Sequence, residues 1–394
     1  MLHKKTVVMI MYKTYKFRLY PDKIQKEKIN RNFGCNRFVY NYYLSMIKNS
    51  NYINACACIK DYTNKLKYEY PFLQEADSIL IRKSLLNLED NFKRYFKSNF
   101  GYPKYKSKYG KNSYTTTAFY DSYKVNKNYN IELDLKERII KLPKLGNLKI
   151  RGYRNIKSIN GRLINTTISR EKNNKYYVSV LYELPDVPKI LSSTIVGLDI
   201  GIKKLITTSD GITYDNNKYI NKYEERIKRE QYKLSKKKKG SKNYYKSIRR
   251  LNVLYIKLTN ARKFYTHKIT KYITDNYDII CAESLSTKQM VMNKETHLSK
   301  NICDATFSEI LKQLEYKSKE KGKYFYKIDA YYPSSQACSV CENIDKKYKD
   351  LNERIYKCKC CHNKIDRDLN ASINIMFEGL KLYMKEVIEQ INFL

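Results

Sequence analysis

The sequence predicts an α+β chain of several domains, and three observations carry that expectation. Apolar residues recur at helical spacing through the first hundred residues. From Gly101 the texture changes to short apolar runs set among Gly, Pro, Ser and Thr. Beyond Leu191, strand-like runs alternate with helix-forming stretches, and two Cys-x-x-Cys pairs precede the last of these. At 394 residues, 42% of them hydrophobic, the chain is long enough for two or three domains with proper cores.

Taken in order, Thr14–Tyr20 alternates bulky and polar residues as a half-buried strand does, and Pro21 stops it. Asp22 followed by Gln25 forms a capping-box start for a helix. Ile24, Ile29, Phe33, Phe38, Tyr42 and Met46 would line its faces, with a break at Gly34. Ile81, Leu85, Leu88, Phe92 and Phe96 mark a second amphipathic helix with Lys83, Arg94 and Lys97 between them. The runs at 138–142, 148–150 and 176–182 read as strands of a small β domain. Residues 218–272 read as a helical hairpin whose tip carries Lys236, Lys237, Lys238 and Lys239 before Gly240.

Charge narrows the partner class. The chain has 78 Lys+Arg against 39 Asp+Glu, a net charge of +39, together with 40 Tyr. Such an excess repels itself unless a polyanion neutralises it, which points to nucleic acid. A membrane surface would require an anchor, and the longest apolar start, at 7–11, is far too short to span. Lys104, Tyr105 and Lys106 interleave cations with a ring, a pattern suited to backbone neutralisation and base stacking. Lys236, Lys237 and Lys238 are candidates for contact with a phosphate backbone. A solvated basic loop is the even alternative for the Lys104–Lys106 segment, whereas protrusion of the hairpin tip between two strands favours backbone contact. No Gly-rich loop ending in Lys-Ser/Thr occurs, which argues against an NTPase.

Acids and cysteines suggest the chemistry. Asp199 ends the apolar run Ile195–Leu198, Glu283 ends Ile279–Ala282, and Asp366 and Asp368 stand at the start of a helix-forming stretch. A carboxylate at the end of a buried strand is costly unless it is paired, hydrogen-bonded or bound to metal. Convergence of three such sites would suit two divalent cations, Mg2+ or Mn2+, acting on a phosphodiester. Cys338-x-x-Cys341 and Cys358-x-x-Cys361 stand sixteen residues apart, the spacing of a structural four-cysteine zinc site. Cys360 and His362 are competing donors beside the second pair. The few clustered cysteines suit a reducing, cytoplasmic setting better than a disulfide framework.

These pieces, in this order, resemble the TnpB family, the OrfB-type products of insertion sequences related to type V CRISPR effectors. The resemblance is carried by Tyr15–Pro21 with Gly34–Asn41, Tyr102–Ser107 with Ser113–Thr116, Gly197–Gly201, Ala282–Leu285, the cysteine pairs and Asp366–Ala371. It implies an RNase H-like (RuvC) α/β nuclease core over 191–394, with the helical hairpin at 218–272 and a zinc ribbon at 334–364. A β-barrel wedge domain, comprising 1–20 and 101–190, would precede this core, interrupted by a helical recognition domain at 21–100. It implies an RNA-guided DNA endonuclease, cutting double-stranded DNA beside a transposon-adjacent motif with a guide RNA from the transposon end. A separate transposase would be a further partner, and the setting a prokaryotic cytoplasm in association with the nucleoid. The catalytic triad carries over onto Asp199, Glu283 and Asp368, with Asp366 as the alternative third acid. The Ser284-Leu285-Ser286 run departs from the commoner Asp/Asn-Leu texture after the glutamate. The rival function is a non-cleaving RNA-guided DNA-binding regulator or transposase accessory protein.

Overall fold

Strand alternation and helix caps set the elements of the computed structural model, which describes residues 10–47, 54–97, 100–119, 130–152, 158–189, 194–284, 306–350 and 352–392. Residues 7–9, Leu191, Leu285 and Ser286 lie outside that description. The chain divides into two units, Met1–Asp186 and Val187–Leu394.

In the first unit, β1 (Ile10–Tyr20) buries Met11, Phe17 and Leu19 on one face. Helix α1 (Lys23–Met46) starts at the reciprocal capping box of Asp22 and Gln25. The helix runs unbroken through Gly34, where the sequence suggests a stop. Nothing lies within 4 Å of a Cβ placed there, so the glycine marks neither a turn nor a close approach. Ile24 and Met46 face solvent, while Ile29 and Phe33 enter the core. After α2 (Ala55–Asp61), a π-helical turn at Tyr62–Leu66 and the short α3 (Lys67–Glu69), α4 (Ser78–Lys97) packs on α1 through Leu80, Ile81, Leu85, Leu88 and Phe92. Phe96, on the same stripe, is exposed.

The sheet of this unit contains β1, β2 (Asn112–Thr117), β3 (Glu132–Asp134), β4 (Ile139–Leu142), β5 (Gly146–Arg151), β6 (Arg162–Arg170) and β7 (Tyr176–Pro185). Its order is β2-β6-β7-β1-β5-β4-β3, antiparallel throughout. Among the described residues the sheet is open, with β2 and the three-residue β3 at its edges, where the sequence reading expects a barrel. Buried polar groups join helices to sheet. Asp77 accepts from the Ile79 N–H at the start of α4 and from the Thr116 hydroxyl on β2. Asn36 of α1 donates to the Ser113 carbonyl.

The second unit is built on a five-stranded sheet ordered β10-β9-β8-β11-β12. Its strands are β8 (Ile195–Asp199), β9 (Lys204–Thr208), β10 (Thr213–Asp215), β11 (Ile279–Glu283) and β12 (Tyr324–Ile328). β8, β11 and β12 run parallel, while β9 and β10 are antiparallel additions. Between β10 and β11 the chain forms α5 (Tyr219–Ser235) and α6 (Lys242–Asn276), packed together around a turn with Gly240 at φ +87° and Ser241 as N-cap. One sheet face, with Val196, Leu198, Ile280 and Ala282, is covered by α6 and by α7 (Phe307–Glu320). The other face, with Ile279 and Cys281, is covered by the final helix α8 (Arg367–Asn392). A small ribbon, with β13 (Ile355–Lys357) and β14 (Lys364–Asp366) paired, leads directly into α8. Among the described residues no helix is long and apolar enough to cross a membrane.

Candidate active site and metal centre

The two-residue period of a strand decides where the acids point. On β8, Val196 and Leu198 face α6 and α7, so Gly197 and Asp199 face α8. On β11, Ile280 and Ala282 face α6 and α7, so Cys281 and Glu283 face α8. The parallel register pairs Cys281 with Gly197 and Ala282 with Leu198. Continued by one residue, it brings Glu283 beside Asp199, one strand spacing away, about 4.8 Å. Both acids therefore stand at carboxyl ends of adjacent parallel strands, under the first turn of α8, where Asp368 lies.

Two glycines allow α8 to lie this close. A Cβ on Gly197 would come within 2.0 Å of the Ser372 carbonyl oxygen and 2.5 Å of the Met376 nitrogen. A Cβ on Gly379 would meet Cys281 Sγ at 2.1 Å. Ser372, Met376 and Gly379 share one face of the helix, so its backbone rests directly on β8 and β11.

Electrostatics reflect the convergence. Burial, then the charges of Glu283 and Asp368, push the Asp199 carboxyl well above the usual carboxylate range, with Arg367 opposing. Burial raises Glu283, opposed by a hydrogen bond from the Ser334 hydroxyl. Asp368 has Arg354 Nη1 at 3.7 Å and Arg367 Nε at 4.0 Å. Asp366 is engaged differently. Its Oδ1 accepts the backbone N–H groups of Asp368 (2.9 Å) and Leu369 (3.1 Å), so it caps α8.

The four cysteines come together. The sulfurs of Cys338, Cys341, Cys358 and Cys361 all lie within 4.8 Å of one another, with Cys338···Cys361 at 3.6 Å and Cys341···Cys358 at 3.5 Å. Tetrahedral bonds of about 2.3 Å place thiolates about 3.8 Å apart, so the set fits one ion. Backbone N–H groups of Cys361 and Cys360 aim at Cys358 Sγ and draw its pKa down to about 6, favouring the thiolate. Cys360 is exposed and outside the set.

The basic candidates separate. Lys104 and Tyr105 are exposed on the segment leading to β2. Lys106 is placed otherwise than the sequence suggests: its ammonium lies 3.9 Å from the centroid of Tyr40, and burial lowers its pKa to about 8. Its backbone N–H donates to Asn41 Oδ1 and its carbonyl accepts from Asn41 Nδ2, so it fastens the loop to α1. Lys236, Lys237 and Lys238 are exposed at the α5–α6 turn, with Lys236 Nζ 5.3 Å from the Tyr232 ring centroid.

Residues the sequence reading assigns no role include Ser334, Asn374 and the paired glycines. Their importance comes from tertiary contacts, for which local patterning gives no signal beyond their nearness to Cys338 and Asp368.

Three family models match the chain. One described as a helix-turn-helix domain covers residues 9–52, one described as a probable transposase covers 179–294, and one described as a Cas12f1-like TNB domain covers 307–375. A Streptomyces pristinaespiralis protein named "Putative RNA-guided DNA endonuclease" is 29% identical, over 93% of this chain and 89% of its own. The Escherichia coli K12 protein "Putative RNA-guided DNA endonuclease InsQ" is 28% identical over 93% and 92%. Across most of its length the chain is similar to these relatives, as its resemblance to the TnpB family implies. Its fold is similar to that of the protein in a Cas12f1–sgRNA–target DNA complex, with TM-score 0.61 and 14% identity over 93% of this chain and 99% of the other.

Proposed function

We propose that this chain is a TnpB-type RNA-guided DNA endonuclease of an insertion sequence, cutting DNA beside a short transposon-adjacent motif. The reading rests on one observation above all: β8, β11 and α8 each bring a carboxylate to the same end of one sheet. In this reading the second unit is an RNase H-like (RuvC) core interrupted by the α5–α6 hairpin and the ribbon. The first unit would supply the wedge and recognition surfaces, over 1–20 with 101–190 and over 21–100.

Asp199 and Glu283 would hold divalent cations, Mg2+ or Mn2+, from the sheet, and Asp368 would hold them from α8. The raised Asp199 supports this, because a cation removes the mutual repulsion that burial magnifies. Bound there, two divalent ions supply water activation and stabilise the leaving oxygen of a phosphodiester. Arg354 and Arg367 would offset surplus negative charge beside Asp368. The capping bonds of Asp366 leave Asp368 as the better third ligand. Zn2+ in the cysteine site would be structural, since four thiolates leave no position for water.

The partners would be a guide RNA and double-stranded DNA. Sequence would be read mainly by pairing to the guide, while the protein holds backbones and reads a short duplex motif. Exposed Lys104, Tyr105 and Lys236–Lys238 are the surfaces offered to them. The direct test is cleavage by Asp199→Ala and Glu283→Ala. Loss of cutting with RNA binding retained supports the reading, and unchanged cutting overturns it.

A further inference from the structure

Among the three acids, Glu283 has a buried hydroxyl aimed at it. The Ser334 Oγ–H donates to Glu283 Oε1, and Ser334 is only 5% exposed. Ser334 lies four residues before Cys338, on the segment that enters the first cysteine pair. That segment is clamped to α8 by two buried asparagines one turn apart. Asn374 Nδ2 donates to the carbonyls of Ser334 and Ala337, each at 2.8 Å. Asn370 Nδ2 donates to the same Ala337 carbonyl at 2.7 Å, and its Oδ1 accepts the Ser339 N–H at 2.9 Å. Both flanks of Cys338 are thereby fixed to the helix that carries Asp368, and the fixed segment ends with its hydroxyl on Glu283.

We propose that Ser334 is a positioning residue for Glu283, through which the four-cysteine knuckle sets that carboxylate's orientation toward a divalent cation. The inference rests on the reading of Glu283 as an ion ligand. A hydroxyl on Oε1 restricts rotation of the carboxylate and leaves Oε2 for an ion. Without it, a side chain on the end of β11 has several rotamers of similar energy and must be ordered when the ion binds. The cysteine site is then more than an independent fold staple, because its loop also sets the orientation of an acid of the other centre.

The test uses the full-length protein loaded with cobalt at the cysteines and titrated with Mn2+, free Mn2+ being followed by electron paramagnetic resonance. Ions bound by the wild type and lost in Asp199→Ala define the carboxylate site. Ser334→Ala should weaken Mn2+ there by about tenfold, the lower end for loss of a group that supports a metal ligand. Ser334→Thr, which keeps the hydroxyl, should stay near wild type. The cobalt–thiolate absorption bands should be the same in all variants, which separates positioning from collapse of the knuckle. Wild-type Mn2+ affinity in Ser334→Ala would overturn the inference and leave the acids' assignment standing. Altered thiolate bands in Ser334→Ala would also overturn it, assigning the serine to the knuckle alone. Full Mn2+ binding by Asp199→Ala would overturn the assignment of the acids, and the inference with it.

Discussion

Asp366 and Asp368 stand two residues apart and carry the same group, yet their surroundings give them different tasks. Asp366 spends an oxygen on two N–H groups at the start of α8, while Asp368 faces two guanidiniums and the Asp199 carboxyl. Asp368→Ala should reduce cutting to roughly 1% or less. Asp366→Ala should instead cost about 1 kcal/mol of stability as a lost cap and leave most cutting intact. Rates and melting curves for the two variants check this. A second prediction concerns Asp199, whose carboxyl is raised by burial and by its acidic neighbours. An acid with a higher pKa folded than unfolded binds its proton more tightly when folded, so stability falls as pH rises through that window. In chelator at neutral pH, Asp199→Asn should therefore melt above the wild type. The gap should close as pH falls through about 4 and below, where the unfolded form becomes protonated as the folded one already is. Asp199 and Glu283 are legible in the sequence because an acid closing an apolar strand stands out. The division between Asp366 and Asp368 is not legible from local pattern, because both positions suit an acid at a helix start; the resemblance favours Asp368, and the hydrogen bonds show Asp366 engaged as a cap.

At the scale of elements, the centre depends on how closely α8 lies on the sheet. Gly197 and Gly379 leave no room for a methyl group, whereas Gly34 in α1 meets nothing. Gly197→Ala should cost about 1–3 kcal/mol through overpacking, and should slow cutting because it moves Asp368 away from Asp199. Gly34→Ala should gain up to about 1 kcal/mol from helix propensity alone. Denaturant melts of both variants provide the comparison. The same contrast explains what the sequence could and could not reveal. Glycine in a helical pattern signals a break only when the backbone needs a special conformation, and Gly34 has ordinary helical geometry within α1. The cysteine pairs were legible because x-x spacing constrains two ligands locally. Their attachment to α8 through Asn370 and Asn374 was not, since that contact joins residues more than thirty positions apart.

Across the whole molecule, the net charge of +39 first indicates only a polyanion, and the structure divides that charge into different uses. Lys106 is taken up by Tyr40 and Asn41, Arg367 bonds to the Asp350 carbonyl at 2.7 Å, and the lysines at the α5–α6 turn remain exposed. If those exposed lysines meet a nucleic-acid backbone, replacing Lys236, Lys237 and Lys238 with alanine should release three fewer counterions. The slope of log affinity against log salt should then become shallower by roughly 2–3, measured by RNA and DNA binding at several salt concentrations. An unchanged slope would assign the turn to solvent. If the carboxylates serve cutting and not affinity, as proposed, their removal should leave the slope alone.

The proposed function makes three carboxylates, from two strands and a helix, the cutting centre of an RNA-guided nuclease. Its most direct test is cleavage of DNA matched to the RNA that co-purifies with the protein, comparing the wild type with Glu283→Ala. Cutting by the wild type in Mg2+, absent from Glu283→Ala carrying the same RNA, is the predicted result. Equal cutting by both proteins, or no matched cutting by the wild type, would contradict it.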